Sequence, residues 1–165
     1  NPVEKYFTAE RFWCALGMGL GVLAIAVAAY CFIKLKQPFY SGMAYSLLVL
    51  GFFFLAVCVG VFFRSPRDIT RVNQYLESKS QMLSNEELPR MDKVMRNFRF
   101  IMVAEGVVIA ASLLLFVFSK AGSSWKGAAL GTLILAMLLL AFDYLATKRG
   151  AEYHQFLIQN VNNAE

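Results

Sequence analysis

Read as a succession of apolar and polar positions, the chain sets out four long apolar runs separated by shorter polar stretches. The runs cover residues 12–33, 43–63, 98–118 and 127–147. Each reaches the roughly 20 residues with which an α-helix crosses a hydrocarbon core of about 30 Å. The pattern predicts an all-α membrane protein, a single four-helix transmembrane domain over residues 1–165. After the second run, Ile69, Val72 and Leu76 recur at i, i+3 and i+7 on an otherwise polar stretch. After the fourth, Tyr153, Phe156, Leu157 and Val161 share one helical face in the same way. These stripes predict amphipathic cytoplasmic helices at about 66–83 and 148–161, lying on the membrane surface or packed beneath the bundle.

Local signals place the element ends. Pro2 suits the start of a short surface helix that feeds the first span, and Pro38 with Gly42 marks a turn between antiparallel neighbours. Ser65 and Pro66 read as a helix start, a capping hydroxyl followed by proline at the first helical position. Ser84 to Glu87 reads as a loop, and Pro89 opens a helix that runs through Met91, Val94 and Met95 into the third span. Gly17, Gly21, Ala24 and Ala28 form one stripe of small side chains, and Gly127 with Gly131 forms a GxxxG, so another backbone is expected to approach closely at both places. The second span carries Phe52, Phe53, Phe54, Phe62 and Phe63, an all-round apolarity that points to lipid or to another subunit. With an offset of 81, Arg67 falls on Lys148 and Asn73-Gln74-Tyr75-Leu76 on His154-Gln155-Phe156-Leu157, which suggests a tandem two-hairpin repeat.

Composition agrees with a membrane setting: 58% of the residues are hydrophobic and 16% charged, with a mean hydropathy of +0.53. The net charge of +5 would suggest a nucleic-acid partner until the charges are placed. Of the 16 lysines and arginines, 12 lie before the first span, between the second and third, or after the fourth; Lys34, Lys36, Lys120 and Lys126 occupy the other two connections. By the positive-inside rule both termini and the central segment are cytoplasmic, and the basic character reports topology first and anionic lipid headgroups second. No nucleic-acid role is left for it. Cys14, Cys31 and Cys58 each sit inside an apolar run without a CxxC or Cys/His spacing, and read as small packing residues. His154 has no second histidine with which to hold a metal and reads as a surface residue. No Ser/His/Asp set, phosphate loop or metal-ligand spacing occurs, so neither a cofactor nor a metal site is expected.

What remains is charge inside the membrane. Glu105 lies six residues past Arg99, about 9 Å into the hydrocarbon, where an unpaired charge costs about 2.5 kcal/mol or more. Asp143 lies five residues before Lys148 and so reaches nearly the same depth on an antiparallel helix. Topology brings Glu10, Arg11, Arg64, Arg67, Arg99, Glu105 and Asp143 towards one membrane face. As a structural ion-pair layer, the two acids would each reach a guanidinium of Arg11, Arg64 or Arg99. As a coupling site, they would instead face a cavity.

Several segments together resemble an uncharacterised group of small four-span bacterial inner-membrane proteins: Glu10-Arg11-Phe12; Arg64-Ser65-Pro66-Arg67-Asp68 with Arg71-Val72; Pro89-Arg90-Met91 with Val94-Met95 and Asn97-Phe98; Glu105; and Asp143 with Arg149-Gly150 and Tyr153. The resemblance spans nearly the whole chain. It implies a four-helix fold in the bacterial cytoplasmic membrane and brings no activity, cofactor or catalytic residue. Three classes of function follow from the residues. The first is an interaction protein, an accessory or assembly subunit or an immunity-type protein, with a homo-oligomer or membrane-protein partner. The second is a small oligomeric transporter or channel that uses Glu105 and Asp143 for proton or ion coupling. The third is a lipid-headgroup-binding protein or lipid-handling enzyme.

Overall fold

The computed structural model describes residues 2–78 and 80–162. Lys79, one of the cations of the central basic segment, lies outside the described residues. Four helices are long and apolar enough to cross a membrane: α1 (Pro2–Lys34), α2 (Pro38–Ser78), α4 (Leu88–Phe118) and α5 (Ser124–Asn162). A short helix α3 (Ser80–Met82) and one π-helical turn (Leu83–Glu87) lead into α4. The expected all-α four-helix architecture is present, and no described residue is in a strand.

The polar segments do not form separate elements. α2 has 41 residues and α5 has 39, and at about 1.5 Å per residue each reaches about 60 Å, twice the hydrocarbon thickness. The predicted surface helices at 66–83 and 148–161 are in the main continuations of the spans, and the opening segment is likewise the first part of α1. Ser65 and Pro66 therefore do not start a helix. Proline at 66 removes one backbone donor, but Ser65 is fully buried, and its Oγ lies 2.9 Å from both the Val61 carbonyl and Glu10 Oε2, its single proton shared between two acceptors. The hydroxyl ties the turn together from inside instead of capping it. Gly42 is likewise inside α2, the chain turning instead at residues 35–37. Ser84 to Glu87 is not a loop: the Leu88 N–H donates to the Leu83 carbonyl, and the resulting π turn places Leu83 and Glu87 on one buried face.

These extensions bury a core at the basic end of the molecule. Val3 and Phe7 from α1, Val72 from α2, Leu83, Met91 from α4, and Tyr153 and Leu157 from α5 pack into one cluster. Water lies outside it, so burial of this apolar surface drives the assembly as it would in a soluble domain. Within the apolar runs lipid removes that driving force, and close packing of small residues takes over. Gly17, Gly21, Ala24 and Ala28 are all buried. A Cβ at Gly21 would stand 3.2 Å from the Gly51 carbonyl oxygen, and one at Gly17 would meet Cys58, Phe54 and Phe142. α2 and α5 run parallel and touch backbone to backbone where Gly127 meets Phe39 and Gly42 meets Ser124. Ser46 donates to the Ala128 carbonyl at 2.9 Å and accepts from Thr132 at 3.1 Å, a polar tie in the same crossing. Gly131 lies against Met43 and Ser46.

The helices are not equally enclosed. α1 packs along α2, α2 along α5, and α5 along α4, while α4 makes almost no contact with α2. Only 6% of the apolar window of α4 is buried, against 22–28% in the other three. A gap is thus built into the bundle between α2 and α4.

This packing makes glycine substitutions unequal. Gly127→Ala drives a methyl into the Phe39 carbonyl and is expected to cost about 1–3 kcal/mol. Gly60, with nothing within 4 Å of an added Cβ, should accept alanine with a gain of about 0.5–1 kcal/mol. Thermal unfolding in detergent checks both; equal midpoints for the two variants would contradict the α2–α5 contact.

Candidate functional site: an acid-lined cleft above a buried ion-pair knot

Two levels of charge are built at the basic end. The lower one centres on Glu87, whose side chain is 1% exposed. An isolated carboxylate cannot be buried to that degree without partners that replace water. Arg90 supplies a bidentate pair, Nε to Oε2 at 2.9 Å and Nη2 to Oε1 at 2.5 Å. The Tyr153 hydroxyl donates to Oε1 at 3.1 Å, and Arg71 approaches Oε2 at 3.5 Å. Arg71 also pairs with buried Asp68 at 3.0 Å, and Arg64 closes the chain on Asp68 at 3.0 Å. Burial, and then the neighbouring Glu87 carboxylate, push the Tyr153 phenol far above its ordinary range, so it stays a donor. Tyr6, stacked on Tyr153 with centroids 4.5 Å apart, is pushed up by the same burial and by Glu10. The knot joins α2, the π turn, α4 and α5.

The upper level is the gap between α2 and α4, a cavity of about 380 Å³. Phe53, Phe54, Val57 and Val61 line it from α2, and Val94, Asn97, Phe98 and Ile101 from α4. Its back wall is Leu139 and Asp143 of α5, and Tyr6, Phe7 and Glu10 of α1 close its basic end. Phe53, Val57 and Ile101 are exposed, so the mouth opens sideways, on the surface that lipid covers. The volume lies within the ~300–1,000 Å³ of small-molecule sites.

Three carboxyls face this cavity: Glu10, Glu105 and Asp143. Glu105 and Asp143 lie within hydrogen-bonding reach of one another. Among the described residues neither forms an ion pair with any cation, and Glu105 Oε2 is buried with no hydrogen-bond partner. Arg64 and Arg90 also border the cavity, but Asp68 and Glu87 already engage them.

The seven charged residues singled out in the sequence therefore separate. Glu10, Arg64, Glu105 and Asp143 share the cleft. Arg11 stands 4.8 Å over the Phe62 ring, with its Nε buried and unpartnered. Arg67 is exposed on α2, and Arg99 lines a different cavity, between α4 and α5. The reason is local: Asp68 lies four residues from Arg64 and three from Arg71, so those guanidiniums reach it along their own helix before they reach the membrane acids.

The knot itself was not singled out from sequence, although the spacings were present. Arg64/Asp68, Asp68/Arg71 and Glu87/Arg90 are all (i, i+4) or (i, i+3) pairs of opposite charge. His154, read from sequence as a surface residue, makes an exposed contact there: its Nε2 lies 2.7 Å from Asp92 Oδ1. The Cys14 and Cys58 thiols are side-chain neighbours across α1 and α2, a pairing their sequence separation conceals. No protein-family model, curated protein or solved structure matches this chain.

Truncation at the knot should be severe. Glu87→Ala strands the Arg90 guanidinium and is expected to cost about 3–5 kcal/mol, whereas Tyr153→Phe, which removes one donor, should cost about 1 kcal/mol. Chemical denaturation in detergent micelles measures both, and a Glu87→Ala midpoint equal to wild type would show that the knot contributes no stability.

Proposed function

We propose that this chain is a small membrane carrier that admits a hydrophobic cation from the bilayer into the α2–α4 cleft and exchanges it for a proton at Glu105 and Asp143. One observation carries the proposal: the two acids meet each other, not an arginine, on the wall of a cavity with an apolar, aromatic mouth. Two carboxyls in contact hydrogen-bond only when one holds a proton, and both ionised side by side in a water-poor site repel strongly. A cation entering the cleft offsets that repulsion and releases the proton. Phe53, Phe54 and Phe98 line the cleft, and aromatic rings attract a delocalised or quaternary cation, while three carboxyls without a free counter-ion disfavour an anionic ligand. Chain orientation follows from the cation bias: the basic end, with both termini, lies in the cytoplasm. The resemblance noted above points to a bacterial inner membrane.

The open side of α4 supports a second role. Phe100, Val103, Val107 and Phe118 are exposed along it, a face that a second copy or another membrane protein would cover in an interaction or accessory subunit. In that role the acid pair is structural and the cleft takes no ligand.

Tetraphenylphosphonium separates the two roles. Binding to purified wild-type protein should release protons into weakly buffered solution. Glu105→Gln and Asp143→Asn should each lower affinity at least tenfold while keeping a wild-type unfolding temperature, since no cation is stranded. Absence of binding in the wild type, together with a destabilised Glu105→Gln, would overturn the carrier and favour the structural role. The orientation has its own check: a cysteine at Ser123 should react with an impermeant maleimide from outside intact cells, and one at Asn85 should not.

A further inference from the structure

A second site lies on the opposite side of α4 from the cleft. Helical spacing turns Asp92, Arg96 and Arg99 of α4 towards a groove shared with Ala151, His154 and Gln155 of α5, a cavity of about 360 Å³. Arg96 and Arg99, three residues apart on one helix, are neighbours of like charge, an arrangement that is unfavourable until an anion joins it. The other arginines of the central segment that border the core are already paired with acids: Arg64 and Arg71 with Asp68, and Arg90 with Glu87. Arg96 and Arg99 form no ion pair with any described residue. Among the described residues that line the groove the acid is Asp92, whose Oδ1 lies 2.7 Å from His154 Nε2.

We infer that this groove binds the headgroup phosphate of a net-anionic phospholipid. The place of the groove selects a lipid over a soluble anion. Arg99 is the last cation before the apolar run. Phe100, the next residue, is 75% exposed, and Val103, one turn beyond Arg99 on the same face, is 63% exposed. A phosphate between the two guanidiniums thus leaves its acyl chains lying along Phe100 and Val103, in the layer where chains already are. Guanidiniums suit the task because they stay charged in lipid and grip phosphate oxygens in pairs. The headgroup must also lack an ammonium. In the groove the two guanidiniums of Arg96 and Arg99 outnumber the single carboxylate of Asp92, one oxygen of which is held by His154, so a zwitterionic headgroup brings its ammonium to a site of net positive charge. The Gln155 amide adds a neutral donor and acceptor at the rim, which suits a hydroxylated headgroup such as phosphatidylglycerol.

The test is native mass spectrometry of protein taken from bilayers of equal phosphatidylglycerol and phosphatidylethanolamine. Wild type should retain phosphatidylglycerol in preference. Arg96→Gln with Arg99→Gln should weaken that retention about thirty-fold, since each basic side chain at the membrane surface contributes about a factor of five towards anionic lipid. Arg96→Lys with Arg99→Lys should restore most of it. Arg67→Gln with Lys120→Gln, the same change in net charge elsewhere, should leave it unchanged. Both arginines are exposed, and an unaltered unfolding temperature verifies the fold of each variant. Equal retention of both lipids by wild type, or equal loss in the Arg67/Lys120 control, overturns a specific site. If inorganic phosphate stabilises lipid-free protein as strongly as a short-chain phosphatidylglycerol does, the ligand is a soluble anion and the lipid assignment falls.

Discussion

A carboxylate removed from water must have its charge answered within the protein, and Glu87 is the place where this structure meets that demand. Three side chains converge on it: Arg90 from α4, Arg71 from α2 and Tyr153 from α5. Because its partners come from different helices, the requirement to neutralise one buried acid becomes a requirement on helix positions. The π turn serves the same end, since it rotates Leu83 into the apolar cluster and Glu87 onto the arginines in a single step.

The anchorage at the base matters because α4 has so little else. In the apolar layer it rests on α5 and almost nowhere on α2, and lipid offers no hydrophobic reason for it to close the gap. α1 and α2, by contrast, approach along Gly17, Gly21 and Gly51, and α2 and α5 along Gly42 and Gly127. No comparable stripe of small residues joins α2 to α4; Phe53 and Phe98 stand there instead, both lining the cleft. The cavity is thus a direct outcome of where side chains are small and where they are large.

The same pairings sort the cations of the basic end. Arg64, Arg71 and Arg90 are bound by acids close to them in sequence, Arg11 and Arg149 lie over the rings of Phe62 and Trp13, and Arg96 and Arg99 are left at the membrane boundary. One consequence is that, among the described residues, Glu105 and Asp143 form no ion pair with an arginine and lie next to each other instead. The other is that a pair of guanidiniums is available to the lipid headgroup layer.

The number of helices, their spans and the small-residue stripes are determined by sequence alone, because they rest on length, hydropathy and local spacing along one helix. The depth of Glu105 and its match to Asp143 are legible for the same reason: residue counts from a membrane boundary convert directly into distance. Which arginine meets which acid is not legible, since seven charged residues at one membrane face admit many pairings and only the rotation of each helix selects among them. Continuity through Pro66 and the helical course of residues 84–87 also escaped local signals. There tertiary burial outweighed propensity: the Ser65 hydroxyl, tied to Glu10 on α1, and the Glu87 carboxylate, tied to Arg90 and Tyr153, find better partners inside the packed bundle than a helix end or a loop would offer them. The cleft belongs wholly to the tertiary structure, because it is a contact that two helices do not make, and no residue pattern along either one records it.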